Sequence, residues 1–209
     1  MQNVVIQIKT EHVYHLAIKQ MESLCGLNRD NNAARKSRAK AEDVWQNIFV
    51  GTDVDVLLVP FTRENVRDES LVFDDTEIPC DFVTKQAKEI IGGYAFMLHA
   101  PTIDLAAFPV SRQYYIDSWQ TCIVDSSVQH LRKLLLEHEE RESGDEISIS
   151  QLIAPGLGGI PGSSVGQFFE FMNHERIGME LTKSGMMIPV KSFVGVYLFL
   201  MRNGKENQK

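Results

Sequence analysis

The run "QLIAPGLGGIPGSS", Gln151 to Ser164, gathers four glycines and two prolines. Glycines admit positive φ and let a ligand approach the main chain, so a run of this kind can cradle a phosphate. A Walker-type loop needs G-x-x-x-x-G-K-[ST], with a lysine reaching the terminal phosphates. "GLGGIPGSS" has no lysine. The dinucleotide fingerprint G-x-G-x-x-G fails as well, because the position three beyond Gly158 is Pro161. That fingerprint also follows a buried strand and opens a helix, whereas "SGDEISISQLIA" precedes the run here and is short and polar. By pattern alone this is a rigid irregular turn.

Other residues with chemical potential are scattered. His12 and His15 lie three apart, one face of a helix and an acceptable spacing for metal ligands. No further His or Cys lies nearby in sequence, and the pair reads as half-exposed surface histidines. Cys25, Cys80 and Cys122 are odd in number, widely spaced and without a CxxC pair. They read as small buried hydrophobes in a reducing compartment. Asp125, beside the small residues Ser126 and Ser127, can face either a ligand or solvent. No catalytic residue and no metal set is assigned.

Bulk properties narrow the classes. The chain has 209 residues, 44% hydrophobic and 23% charged, with net charge −7. This fits one globular domain. Nucleic acid is disfavoured as a partner, since phosphate neutralisation needs clustered Lys and Arg. The basic stretch Arg35 to Lys40 is followed at once by Glu42 and Asp43. The N-terminal residues lack the pattern of a signal peptide. The most apolar stretch, Ser192 to Met201, is too short for a bilayer, which needs ~20 apolar residues. A cytoplasmic protein with no membrane partner is expected.

The elements that must position these residues follow from periodicity. "NVVIQI" predicts a strand over Asn3–Ile8, and "EHVYHLAIKQMESLCG" a helix stopped at Gly26. A second helix is expected from about Ala33 to Ile48. Strands are expected over Asp53–Phe61 and Ser70–Ile78, then a helix "CDFVTKQAKEIIGG" ending at paired glycines. Tyr94–Thr102 is apolar throughout, the mark of a strand buried on both faces. The longest helix should run from about Ser111 to Arg141. "VGQFFEFM" reads as helix, and the segment from Ile177 to Met201 as strand-like at both ends.

The wider context of the glycine run resembles the activation domain of cobalamin-dependent methionine synthase. The matching pieces come in order: Pro155-Gly156, the apolar Phe168 to Met172, Ile177-Gly178 with Leu181-Thr182 and Ser184, Met187 with Pro189, and Lys191-Ser192. Upstream, "HAPTI" (His99–Ile103) and "IVDSSVQHL" also fall at family-like positions. The first 50 or so residues match only in the order of elements.

The resemblance implies an α+β fold, with a mixed, largely antiparallel sheet flanked by helices, in one domain over 1–209 that ends in a polar tail at 203–209. It implies S-adenosylmethionine as ligand and cobalamin only through a partner, either a corrinoid-binding protein or a cobalamin-dependent methyltransferase. The implied lining is Gln129, Ala154, Pro155, Gly156, Leu157, Gly158 and Gly159. The implied function is S-adenosylmethionine-dependent reactivation of a corrinoid protein in one-carbon metabolism.

This sequence departs from the family at the ligand positions. Leu152 stands where the family has arginine, Leu157 where it has tyrosine, and Gln129 where the long helix carries an acid. Losing a bidentate arginine–carboxylate contact costs ~1.5–3 kcal/mol, about tenfold to over a hundredfold in affinity. The alternative expectation is therefore a non-catalytic docking partner of a corrinoid protein or methyltransferase that has lost S-adenosylmethionine binding.

Overall fold

A computed structural model describes residues 3–86, 88–143 and 146–201. The polar tail expected at 203–209 lies outside the described residues. Five strands form the main sheet, in the order β1-β2-β6-β10-β7. They are β1 (Val4–Lys9), β2 (Asp53–Thr62), β6 (Ile90–His99), β7 (Ile147–Ile149) and β10 (Ser192–Met201). Every strand pairing in this sheet is antiparallel. The mixed character expected from the resemblance narrows to one isolated parallel bridge, Pro155 with Ile160.

The central strands are apolar throughout because both faces are covered. On β2, Val54, Val56 and Leu58 enter one core, while Leu57, Val59 and Phe61 enter the other. On β10, Tyr197 and Phe199 alternate in the same way with Val194, Val196 and Leu198. The first core lies under three helices: α1 (Thr10–Leu24), α2 (Asn32–Val44) and α4 (Val110–Ser143). Its anchor is Trp119 on α4, fully buried, packed 4.8 Å from the Trp45 ring and donating Nε1–H to the Ala41 carbonyl at 2.8 Å. A buried indole keeps its one polar atom satisfied in this way.

The second core is closed by smaller pieces. A three-stranded sheet contains β3 (Val66–Arg67), β4 (Ser70–Phe73) and β5 (Thr76–Pro79). Around it lie α3 (Asp81–Gln86), α5 (Val165–Phe171) and the hairpin of β8 (Glu180–Leu181) with β9 (Met187–Ile188). Phe73 and Phe171 stack 4.1 Å apart between these layers.

Several local expectations change. The single strand expected over Ser70–Ile78 is a hairpin that turns at Asp74-Asp75, with Asp74 at φ 49°. Asp tolerates the left-handed region better than most residues. The helix expected to end at Gly92-Gly93 is described over Asp81–Gln86 alone, and the two glycines lie inside β6. A Cβ on Gly93 would stand 2.2 Å from the Tyr197 carbonyl, and one on Gly92 2.6 Å from that of Phe61. These glycines allow close backbone approach between strands and do not stop a helix. The second helix continues past Val44 as a wider π-type turn over Trp45–Phe49. Within the stretch "SGDEISISQLIA", read as short and polar, "ISI" is a strand, β7, at the edge of the sheet with both isoleucines buried.

Candidate functional site

The chain runs along the edge of β10 before it enters the glycine loop. Ile149 pairs with Phe199, and the Ser150 amide donates to the Leu198 carbonyl at 2.8 Å. The Leu198 amide returns a bond to the Ser150 hydroxyl at 3.0 Å. Ile153 and Val196 then exchange both main-chain bonds, at 3.2 and 2.7 Å. Gly195 makes this possible, since a Cβ there would lie 2.9 Å from the Ile153 carbonyl. The glycine loop is thus an extension of a sheet edge, held in register by a central strand.

The turn itself is tightly self-bonded. The amides of Ala154 and Leu157 donate to each other's carbonyls at 3.0 and 2.7 Å, and the Gly156 amide donates to Ile160 at 2.8 Å. The Gly159 carbonyl accepts from Asp81 at the start of α3, at 3.1 Å. Gly156, Gly158 and Gly159 all have positive φ, at 83°, 69° and 96°. Their surroundings differ. A Cβ on Gly159 would meet the Asp81 Cβ at 2.8 Å, and one on Gly158 would crowd the Ile153 Cα at 3.2 Å. A Cβ on Gly156 would meet nothing within 4 Å. Two of the three glycines therefore serve packing, and the third faces open space.

The expected lining residues separate into groups. Ala154 is buried and Pro155 half-buried, and both line a cavity of about 100 Å³ with Val165, Met187 and Phe193. Leu157 is 52% exposed beyond the turn. Leu152 is half-buried against the helical core. Gln129 is exposed on α4.

Two charged residues of α4 flank Gln129. Asp125, one turn earlier, is exposed, and partial desolvation against the helix surface pushes its carboxyl up from the ordinary range. Arg132, nearly one turn later, donates Nε–H to the Ser150 carbonyl at 2.8 Å and an Nη2 proton to Ile149 at 2.7 Å. Arg132 therefore fixes the entry to the loop, a link that its place in "LRKLLL" did not announce. Tyr197, beneath this region, donates its hydroxyl to the Val128 carbonyl at 2.9 Å, and burial raises its pKa.

The other family-like pieces also meet. His99, buried at the end of β6, has Nε2 2.8 Å from the Ile177 carbonyl and Nδ1 2.8 Å from that of Ala100. The "HAPTI" and "IG" segments are thereby in contact. Gly178 takes the left-handed conformation, φ 67°, that ends the short helical turn before β8.

Among the described residues, no group of three or more His, Cys, Asp or Glu is placed to hold a metal ion. The His12 ring lies 6.2 Å from that of His130 on α4. Cys80 and Cys122 are buried, and burial pushes the Cys122 thiol up to about 12. Such a thiol carries negligible thiolate at neutral pH. Cys25, expected to be buried, is only half-buried, because it lies just past the end of α1. No described helix is long and apolar enough to cross a membrane.

No protein-family model matches the chain, and no curated protein matches it by sequence. Among solved structures it is similar to the MetH reactivation domain bound to AdoHcy. The TM-score is 0.66 at 13% identity, over 98% of this chain and 80% of that one. The activation-domain-like fold expected from the motif order is the fold found.

Proposed function

We propose that this protein is a reactivation-type accessory of corrinoid methyl transfer that takes S-adenosylmethionine on the Ala154–Gly159 loop. The observation that carries this reading is the shared fold over 98% of the chain with a domain solved with AdoHcy. S-adenosylmethionine would supply a methyl group on a sulfonium. Gly156, with open space around it, offers the loop's point of close main-chain approach. Asp125 supplies negative charge one turn from Gln129 on α4. Cobalamin would belong to the partner, a corrinoid-binding protein or cobalamin-dependent methyltransferase.

The residues fit the ligand unevenly. Leu152 and Leu157 offer nothing to a carboxylate, and the amides of Ala154, Gly156 and Leu157 are already bonded within the turn. These facts favour a second reading, in which the protein docks on the corrinoid partner without holding the cofactor.

Calorimetric titration with S-adenosylmethionine and S-adenosylhomocysteine separates the two. Binding at micromolar strength supports the first reading. Silence at millimolar ligand overturns it, and capture of a purified cobalamin-loaded partner then tests the second.

A further inference from the structure

The Lys191 ammonium lies 3.0 and 3.1 Å from the two carboxylate oxygens of Asp117 and 2.9 Å from the Thr121 hydroxyl. Lys191 immediately precedes β10, and Asp117 and Thr121 are on successive turns of α4. The pair stands beside a cavity of about 370 Å³. Its apolar wall is Ile103, Leu105, Pro189 and Val190, and Val190 is 68% exposed. Gln120, buried at the back, donates its amide to the Pro101 carbonyl at 2.8 Å. None of these residues belongs to the glycine loop.

We propose that this cavity binds a free α-amino acid with an apolar side chain. The head group of such a ligand carries both charges, as the resident pair does. Its carboxylate takes one Lys191 proton now given to Asp117, and the Asp117 oxygen so released accepts from the ligand ammonium. Charge stays balanced at each step, so no half-buried ion is left alone. The side chains of the pair are 27% and 53% exposed, which leaves them open to exchange. The ligand side chain covers Ile103, Leu105 and Val190 and removes apolar surface from water. The volume lies within the range of small-molecule pockets. A simple anion is disfavoured, because Asp117 stands beside Lys191, the one cation among the described residues of the wall.

Saturation-transfer NMR and calorimetry with L-leucine, L-methionine and glycine test this on the intact protein. The expected result is a Kd of about 0.1–1 mM for leucine and methionine, with glycine at least tenfold weaker. Lys191→Met should abolish binding. Val190→Asp, at an exposed position, should leave the melting temperature unchanged and weaken leucine at least tenfold. No leucine binding at ~10 mM, equal binding of glycine, or leucine affinity unchanged in both variants overturns the proposal. The proposal is independent of the S-adenosylmethionine reading, because a loop variant such as Gly156→Ala should leave leucine affinity unchanged.

Discussion

Ile153 and Val196 face each other across one antiparallel bridge and exchange both of their main-chain hydrogen bonds. The bridge anchors the glycine loop to β10, whose middle, Val194 to Phe199, is buried. Ile153 is itself fully buried in the core beneath the small sheet. Truncation to Ile153→Ala removes buried methyl groups and should cost ~2–4 kcal/mol in a chemical denaturation series. A cost under ~1 kcal/mol would mean that the loop is not held there.

The three positive-φ glycines of the loop should not respond alike. Gly156→Ala bears only the left-handed backbone penalty, roughly 1–2 kcal/mol. Gly159→Ala adds a collision with the start of α3 and should cost at least ~1 kcal/mol more. Paired denaturant midpoints measure the difference directly, and equal losses would contradict the packing described.

Gly93→Ala should be among the most damaging single changes in the chain. The added methyl meets main chain, the Tyr197 carbonyl, so β6 and β10 would have to part. A loss of at least ~3 kcal/mol, or insolubility, is expected in expression and melting assays.

His130 gives the fold an acid-sensitive contact. Burial holds its imidazole below the ordinary 6.5, and the charges of His12, Lys133 and His15 lower it further, against an opposing pull from Glu137. The folded state therefore binds this proton more weakly than the unfolded chain. The stability concerned is present above pH ~6.5 and is lost as pH falls through the folded value. The melting temperature should drop between pH 7 and 5, and His130→Gln should reduce that slope.

Much of this architecture was legible in the sequence, for identifiable reasons. Ser192–Met201 and Asp53–Phe61 are strands because their apolar runs are too short for buried helices and too continuous for half-exposed sheet. The long α4 followed from its stripe at three and four. The ordered family-like pieces pointed to the fold, and the contact of His99 with Ile177 shows why two distant segments are spaced as they are. Contacts distant in sequence were not legible. Gly92-Gly93 looks like a helix stop until Phe61 and Tyr197 are placed beside it. Ser148 and Ser150 disguise an edge strand whose ladder partners are on β10 and whose isoleucines pack into the core under α4. Arg132 and Lys191 find partners 17 and more residues away, which no local pattern encodes.

The ligand positions offer a gain-of-function check. Leu152→Arg with Leu157→Tyr restores the side chains that the family pattern places beside the cofactor. The double variant should bind S-adenosylmethionine at least tenfold more tightly than the parent by calorimetry. Unchanged affinity would mean that the loop does not carry the ligand's carboxylate end.

The most direct test of the central claim is an amide correlation NMR map of the protein titrated with S-adenosylhomocysteine. The account predicts saturable shifts concentrated at the amides of Ala154, Gly156, Leu157, Gly158 and Gly159, extending to Gln129 and Asp125 on α4. Saturable shifts elsewhere, or none at millimolar ligand, would contradict it.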